Sequence, residues 1–465
     1  MPEGQALRRA KSLPARAAQP SAALVRPSVF VKIRPLADAG GHADDGTRDM
    51  KVLDGWDDAS VTIATQYMFS KGSTKYTFPR KVLGPETTQQ ESYDTIGSDL
   101  VSAVVDDRTN VLFFAYGQSG TGKTRTMLGT EPSLLSSEFH PDWGIFPRVT
   151  AAIFDQVKTR FVLTVSAIEF YMCECFDLLG ARGPVGIDSE THEPFGETRI
   201  ELSGPGDLMP VLAQVLANRS TRFTRLNAAS AEHSGSSRSH AALILTLQQV
   251  DAKSDFVATT FTLVDLAGAE RLAKLERGKE SPLTQDPSYL VYLAQQMMEQ
   301  GDSETRITPG AKTQYGAIPL DMQSRVINNE LSMIGHEVLK ATEQHRKKKP
   351  YSPPQQLVTP AVKFLGGILD GTARLSMVIT LSSADQNGWE TWFSLQYGTD
   401  LSKLCVPVTR QTPQPLDKCF QAAQAKAEKS AKEFEASPQN KYYFIRRAKA
   451  EAAADVVRKL EMVMI

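Results

Sequence analysis

Residues 117–124 read Gly-Gln-Ser-Gly-Thr-Gly-Lys-Thr, and the apolar run Val111-Leu-Phe-Phe-Ala-Tyr116 stands directly before them. An uncharged run of that length is the pattern of a strand buried on both faces, and Arg125-Thr-Met-Leu after the motif suits a helix. Strand, glycine-rich loop and helix in that order form a phosphate-binding loop and commit the chain to an α/β layout. Gly117, Gly120 and Gly122 allow the tight turns that aim backbone N–H groups at phosphate oxygens, with Gln118, Ser119 and Thr121 completing the loop. Lys123 adds a compact positive charge and the Thr124 hydroxyl suits a magnesium ion. A nucleoside triphosphate is the expected ligand.

From Val29 to about residue 404, strand-like and helix-like stretches alternate. The clearest strands are Val111 to Tyr116, Phe161 to Tyr171, Ala241 to Val250, Ala258 to Val264 and Leu375 to Leu381. Alternation of this kind predicts a central, mostly parallel twisted sheet with helices on both faces, and the runs ending before Gly117 and Asp265 belong at its centre. Lys plus Arg number 52 against 53 for Asp plus Glu, so bulk charge favours no nucleic acid partner. No apolar stretch is long enough for a membrane helix. The four cysteines lack metal-ligand or disulfide-framework spacing, which fits a reducing cytoplasm.

Residues 1–27 carry Arg8, Arg9, Lys11, Arg16 and Arg26 against Glu3 alone. Their weak amphipathic periodicity reads as a disordered basic arm rather than a transit peptide. Residues 276–320 are polar and rich in Gly and Pro, as an insertion is. Two helical patterns rich in alanine and lysine fill 416–465. The last has an apolar stripe, Ile445, Ala448, Ala452, Val456, Leu460 and Val463, that either folds back on the main domain or receives a partner helix.

Hydrolysis requires groups that sense the terminal phosphate and place water. Ser236-Ser-Arg-Ser-His240 and Asp265-Leu-Ala-Gly-Ala-Glu270 are the candidates. Ser236 and Ser237 offer hydroxyls to metal and phosphate, and Asp265, ending a strand, reaches a metal through water. Gly268 offers an amide to the γ-phosphate, and Arg238 pairs with Glu270 to orient the attacking water.

With these segments placed, the chain resembles the kinesin motor domain over residues 28–404. The likeness runs in order through Phe78, Gln90 and Tyr93, then Ala115 to Gln118, Gly144-Ile-Phe-Pro-Arg148 and Ser166 to Tyr171 with Asp177-Leu-Leu179. It continues through Ser236 to His240, Asp265 to Glu270, Ile327-Asn328 with Leu331 to Gly335, Leu365-Gly-Gly367 and Glu390 to Leu395. The resemblance implies a P-loop ATPase stimulated by microtubules. It implies ATP as the nucleotide, its base held beside Lys32, Arg34, Pro35 and Arg125, with Mg²⁺ held by Thr124 and Ser237. Members commonly have Arg at the position of Lys32 and an aromatic residue or His at that of Arg125; a guanidinium still stacks on adenine.

The departures from the family pattern bear on rate and on filament contact. His233 stands where Asn is usual, and either adds a hydrogen bond or is a tolerated loop residue. Asn329 and Glu330 replace a lysine and a small polar residue on the helix expected to meet acidic tubulin, so Glu330 is expected to repel it. Arg346-Lys-Lys-Lys349 either compensates or is a solvated run. The 276–320 insertion is a second filament contact, a partner site or a solvated excursion. Pro407 lacks a backbone donor, so the neck-linker-like segment 405–415 is expected to dock only partly. No heptad run follows.

The expectation is therefore an ATP-hydrolysing, microtubule-binding protein of the cytoskeleton, with filament affinity below that of a typical kinesin. The alternative is a non-motile microtubule-associated component of an assembly such as a cilium or spindle.

Overall fold

The computed structural model describes residues 24–35, 52–64, 72–78, 80–118, 120–171, 174–180, 185–188, 191–226, 239–251, 253, 255–268, 320–353, 359–383, 388–436, 447, 450–451 and 453–458. The chain begins with β1 (Leu24–Val25) and β2 (Ser28–Ile33). A small antiparallel sheet follows, β3 (Leu53–Asp57), β4 (Ser60–Ala64) and β5 (Ser73–Thr77), and then β6 (Val82–Leu83). Helices α1 (Gln89–Ile96) and α2 (Ser98–Val105) lead to β7 (Asn110–Tyr116), α3 (Lys123–Met127) and α4 (Ile145–Gln156). Next come β8 (Arg160–Tyr171), β9 (Glu174–Asp177), β10 (Gly186–Ile187), β11 (Pro194–Phe195), β12 (Arg199–Leu202), α5 (Leu208–Leu226), β13 (His240–Val250) and β14 (Asp255–Asp265). The C-terminal third holds α6 (Leu320–Arg346), α7 (Pro360–Ile368), β15 (Ala373–Leu381), α8 (Gly388–Ser402), β16 (Val406–Pro407), β17 (Gln414–Pro415) and α9 (Leu416–Glu435).

The main sheet runs β12-β8-β13-β14-β7-β15-β2-β6. As the sequence implies, β7 and β14 lie side by side in the middle. The sheet is mixed rather than mostly parallel: β14, β7, β15, β2 and β6 pair in parallel, whereas β12, β8, β13 and β14 pair antiparallel. For β13 and β14 the cause is chain length. Residues 251–254 link β13 to β14, enough for a hairpin but far short of the dozen or so residues that a parallel crossover needs.

The alternation of side chains along a strand divides β7 between the cores on either face. Val111, Phe113 and Ala115 enter a core closed by α1, α2, α4 and α5. Leu112, Phe114 and Tyr116 enter the other, where Ile327, Leu331 and Ile334 of α6, Phe364 of α7 and Leu395 of α8 pack. A strand buried on both faces has no room for polar residues, which is why this run is apolar throughout.

The segment after α8 stays attached along its whole course. Val406 and Pro407 pair with Val25 and Leu24. The Thr409 N–H then donates to Gly371 O at 2.9 Å and the Gln411 N–H to Arg108 O at 2.7 Å, while Gln414 and Pro415 pair with Phe256 and Asp255. The missing donor of Pro407 limits its own rung, but its neighbours carry the docking onward, so the expected partial attachment is not what is found. Beyond it, Leu416, Phe420 and Ala423 of α9 pack on Val162, Val250 and Phe256, and Val456 joins the same cluster. Of the last apolar stripe Val456 alone lies among the described residues, and it packs here; the other five lie outside them.

Phe113, fully buried in the middle of the central strand, tests this packing. Phe113→Ala is expected to cost about 3–5 kcal/mol, seen as a lower urea midpoint with an unchanged slope.

Candidate functional site

Strands β7, β14, β15 and β2 all end at one edge of the sheet, with Asp265 level with Ala115 and Thr380 level with Lys32. Loops leaving the carboxyl ends of parallel strands are where α/β proteins place ligands. Gly117 leaves β7 at φ 156°, and a Cβ there would stand 2.3 Å from Thr380 O, so only glycine lets the loop pass this close to β15. Gly122 sits at φ 91° before α3, with nothing within 4 Å of where its Cβ would be. The backbone turn therefore demands glycine, while the space above it can admit a phosphate.

Lys123 is buried, and its Nζ donates to Gly117 O and Gln118 O, both at 2.8 Å. Thr121 Oγ1 donates to Gln118 O at 2.8 Å and meets Thr380 Oγ1 at 2.7 Å. The loop is held as a rigid ring around a basic nitrogen. One step on, Thr124 Oγ1 donates to Asp265 Oδ2 at 3.1 Å. Arg219 Nη1 reaches the same oxygen at 3.0 Å, and its Nη2 donates to Ser239 O at 3.3 Å. Arg219 and Asp265 are each 2% exposed, so this ion pair is almost fully withdrawn from water.

Asp265 Oδ1 is also buried and has no hydrogen-bond partner among the described residues. A hydroxyl beside a carboxylate with an unused oxygen fits an octahedral magnesium ion that keeps several waters, one of them bonded to the acid. Among the described residues there is no cluster of three or more His, Cys, Asp or Glu side chains able to hold a metal. A magnesium site of the expected kind needs none, because phosphate oxygens supply the rest.

A cleft of ≈ 600 Å³ runs from this node toward the end of β2, lined by Lys32, Arg34, Pro35, Thr88, Gln89, Gly120 to Arg125 and Asp142 among others. Lys32 Nζ donates to Ser92 Oγ at 2.7 Å and Gln89 Oε1 at 3.4 Å. Gln89 Nε2 in turn donates to Arg125 O at 2.6 Å. The Arg34 guanidinium donates to Gly120 O, tying this end of the cleft to the phosphate loop. Burial, and after it the nearby Arg125 charge, pulls the Lys32 ammonium down to about 8.

The structure thus gathers Lys32, Arg34, Pro35, Gly120, Thr121, Gly122, Lys123, Thr124 and Arg125 along one cleft. Asp265 abuts it through Thr124, and Gly268 is buried three residues further on. Gln118 takes part through its carbonyl oxygen. Ser119, Ser236, Ser237, Arg238 and Glu270 lie outside the described residues, as do His233 and residues 276–319.

Sequence reasoning missed Arg219. Its signal lies in α5, where Leu208, Leu212, Val215 and Arg219 follow one another at helical spacing and all are buried. A basic residue continuing an apolar stripe demands a buried acid. Sequence reasoning also misplaced Glu330. It is 2% exposed and its Oε2 stands 3.5 Å from His240 Nε2, so it faces the core and offers no repulsion to a filament.

A sequence model of the kinesin motor domain matches residues 32–286, more than half of the chain. Kinesin-like protein Klp61F of Drosophila melanogaster is 30% identical over 53% of this chain and 23% of its own length. Kinesin heavy chain isoform 5C of Rattus norvegicus is 28% identical over 70% of this chain and 29% of its own. The chain therefore spans less than a third of these relatives. A solved structure described as a fast kinesin, with implications for ATPase mechanism and interactions with microtubules, superposes with a TM-score of 0.58. It is 20% identical and covers 83% of this chain and 94% of that one, a likeness of fold.

Lys32 gives a pH test of the cleft. Its folded value of about 8 lies below the ordinary 10.5, a shift worth roughly 3 kcal/mol. Below pH 8 the lysine is charged in both states and the burial cost is fully present; between 8 and 10.5 the folded protein sheds the proton and the cost is relieved. Lys32→Met is expected to be about 1–3 kcal/mol more stable than the native chain at pH 7. The gap should narrow as the pH rises above 8 and close only beyond about 10.5 in parallel urea titrations.

Proposed function

The chain is a member of the kinesin motor domain family of microtubule-binding, ATP-using motors, and on that footing we propose that it binds ATP with Mg²⁺ and hydrolyses it. Microtubules raise the rate, and the state of the terminal phosphate is coupled to filament contact. The observation that carries this reading is the Thr124–Asp265–Arg219 node, because it makes the phosphate loop, the end of β14 and α5 share one buried carboxylate.

In this reading Lys123 and the N–H groups of residues 118–124 hold the β- and γ-phosphates. Arg34, Pro35 and Arg125 flank the base, with Lys32 beside them. Thr124 and Ser237 are the hydroxyls that hold the metal, with Asp265 reaching it through water. When bound, the ion neutralises phosphate charge and favours in-line displacement. The Gly268 amide senses the γ-phosphate, Arg238 pairs with Glu270 to orient water, and Ser236 adds a hydroxyl beside them.

For the filament, the proposed contact is α6 and the loop at its end. Residues 346–350 are all exposed, which presents a basic run where acidic tubulin is expected, while Glu330 is buried and adds no repulsion there. Tyr351 anchors this loop, donating to Glu337 Oε2 at 2.6 Å. The protein is accordingly placed on the microtubule cytoskeleton. A second reading, a static component of a cilium or spindle that keeps nucleotide binding, draws on the attachment of residues 406–415 at both ends and the packing of α9 on the core.

Steady-state ATPase with and without microtubules over a salt series separates these readings. Stimulation at low salt that fades as salt screens the contact, and that Lys123→Ala abolishes, is the expected result. Bound nucleotide with no stimulation at the lowest salt leaves only the static reading. The triple variant Arg346→Ala, Lys348→Ala, Lys349→Ala is expected to raise the half-maximal microtubule concentration roughly tenfold at low salt and less at high salt.

A further inference from the structure

His240 and Glu330 form a buried pair that no role above employs. His240 opens β13, directly after the serine-rich segment, and is fully buried. Its Nδ1 accepts the Ala267 N–H at 2.9 Å, and Ala267 lies between Asp265 and Gly268. A nitrogen that accepts a hydrogen bond carries no proton, so the ring N–H is on Nε2. That atom faces Glu330 Oε2 of α6 at 3.5 Å, about 0.6 Å beyond a relaxed N–H···O bond. His240 Nε2 and Glu330 Oε1 have no hydrogen-bond partner among the described residues. A buried ring N–H held just short of one oxygen of a carboxylate whose other oxygen is itself unsatisfied is a costly arrangement that a small shift relieves.

We propose that Glu330 is a positioning residue for the nucleotide cycle. By taking up the Nε2–H of His240 it ties α6 to the Asp265–Gly268 segment, and this bond is open in one nucleotide state and closed in the other. The inference rests on the reading of that segment as a phosphate sensor. The chain of contacts is short and has two arrangements: the Ala267 amide fixes the ring, and the ring meets or misses a carboxyl on the helix whose far end carries the exposed basic run. A small polar residue at position 330 would not reach so far, so the link is built from this chain's own glutamate.

Hydrogen exchange along α6 in the full chain tests it, with Mg·ADP and then with a magnesium-bound, non-hydrolysable ATP analogue. The native chain is expected to show protection in α6 that differs roughly fivefold or more between the two nucleotides. Glu330→Ala should cut the difference below about twofold, and Glu330→Gln should keep it, because the amide oxygen still accepts the ring N–H. An Ala variant that keeps the full difference, or a Gln variant that loses it as Ala does, overturns the link. A measurement on the native chain needs no variant to fold: with ¹⁵N-labelled histidine, the His240 Nε2–H resonance is expected to move downfield in one nucleotide state, and an identical resonance in both overturns the proposal. Nucleotide titration of the native chain keeps the two levels apart. No binding overturns the sensor reading and the link with it; binding without the resonance change overturns the link alone.

Discussion

The site is organised around one carboxylate. Asp265, at the end of β14, takes a hydroxyl from the phosphate loop and a guanidinium from α5 on the same oxygen. Withdrawing that ion pair from water is expensive, and the attraction repays the cost only with good geometry and further hydrogen bonds. Arg219 meets the condition by also bonding Ser239 O, which brings the residue before β13 into the same knot. Removing the carboxyl would strand a buried guanidinium, and removing the guanidinium would strand the acid. Four separate stretches of sequence are thereby obliged to keep one arrangement, and that obligation lets a phosphate-dependent change at one be felt by the others.

Much of this was readable from residues because local chemistry dictated it. The positive φ of Gly117, Gly120 and Gly122 is a demand that only glycine meets without strain, so the loop announces itself. Val111 to Tyr116 is apolar at every position because it is buried on both faces, which is also why it lies at the centre of the sheet. The strands following Phe161 and Leu375 were found within a residue or two for the same reason.

What was not readable depends on partners remote in sequence. The parallel character of the sheet was overstated, although the few residues between Val250 and the next strand already forbid a crossover. Glu330 looked like a surface charge because its helix carries polar residues on several sides; only the position of His240, ninety residues earlier, makes it an inward one. Pro407 was weighed alone, whereas the N–H groups of Thr409 and Gln411 share the task of attachment. The corrections shift the balance on the filament face, since the residue that argued against contact is withdrawn from it and the basic run at 346–349 stays in the open.

The place of β7 between β14 and β15 bears on how the protein is made. Its neighbours are encoded far downstream, and the second ends at Leu381. At a synthesis rate of about 5–20 residues per second, roughly ten seconds to a minute separates the emergence of Tyr116 from that of the completed partner strand. Until β14 is complete an uncharged, strand-forming segment waits with unpaired backbone groups on both sides, and until β15 follows it keeps one open side, the kind of edge that recruits neighbouring chains. The feature that makes the phosphate loop rigid in the finished molecule thus makes the nascent one dependent on shielding, and the nucleotide cleft is among the last parts of the domain to be completed.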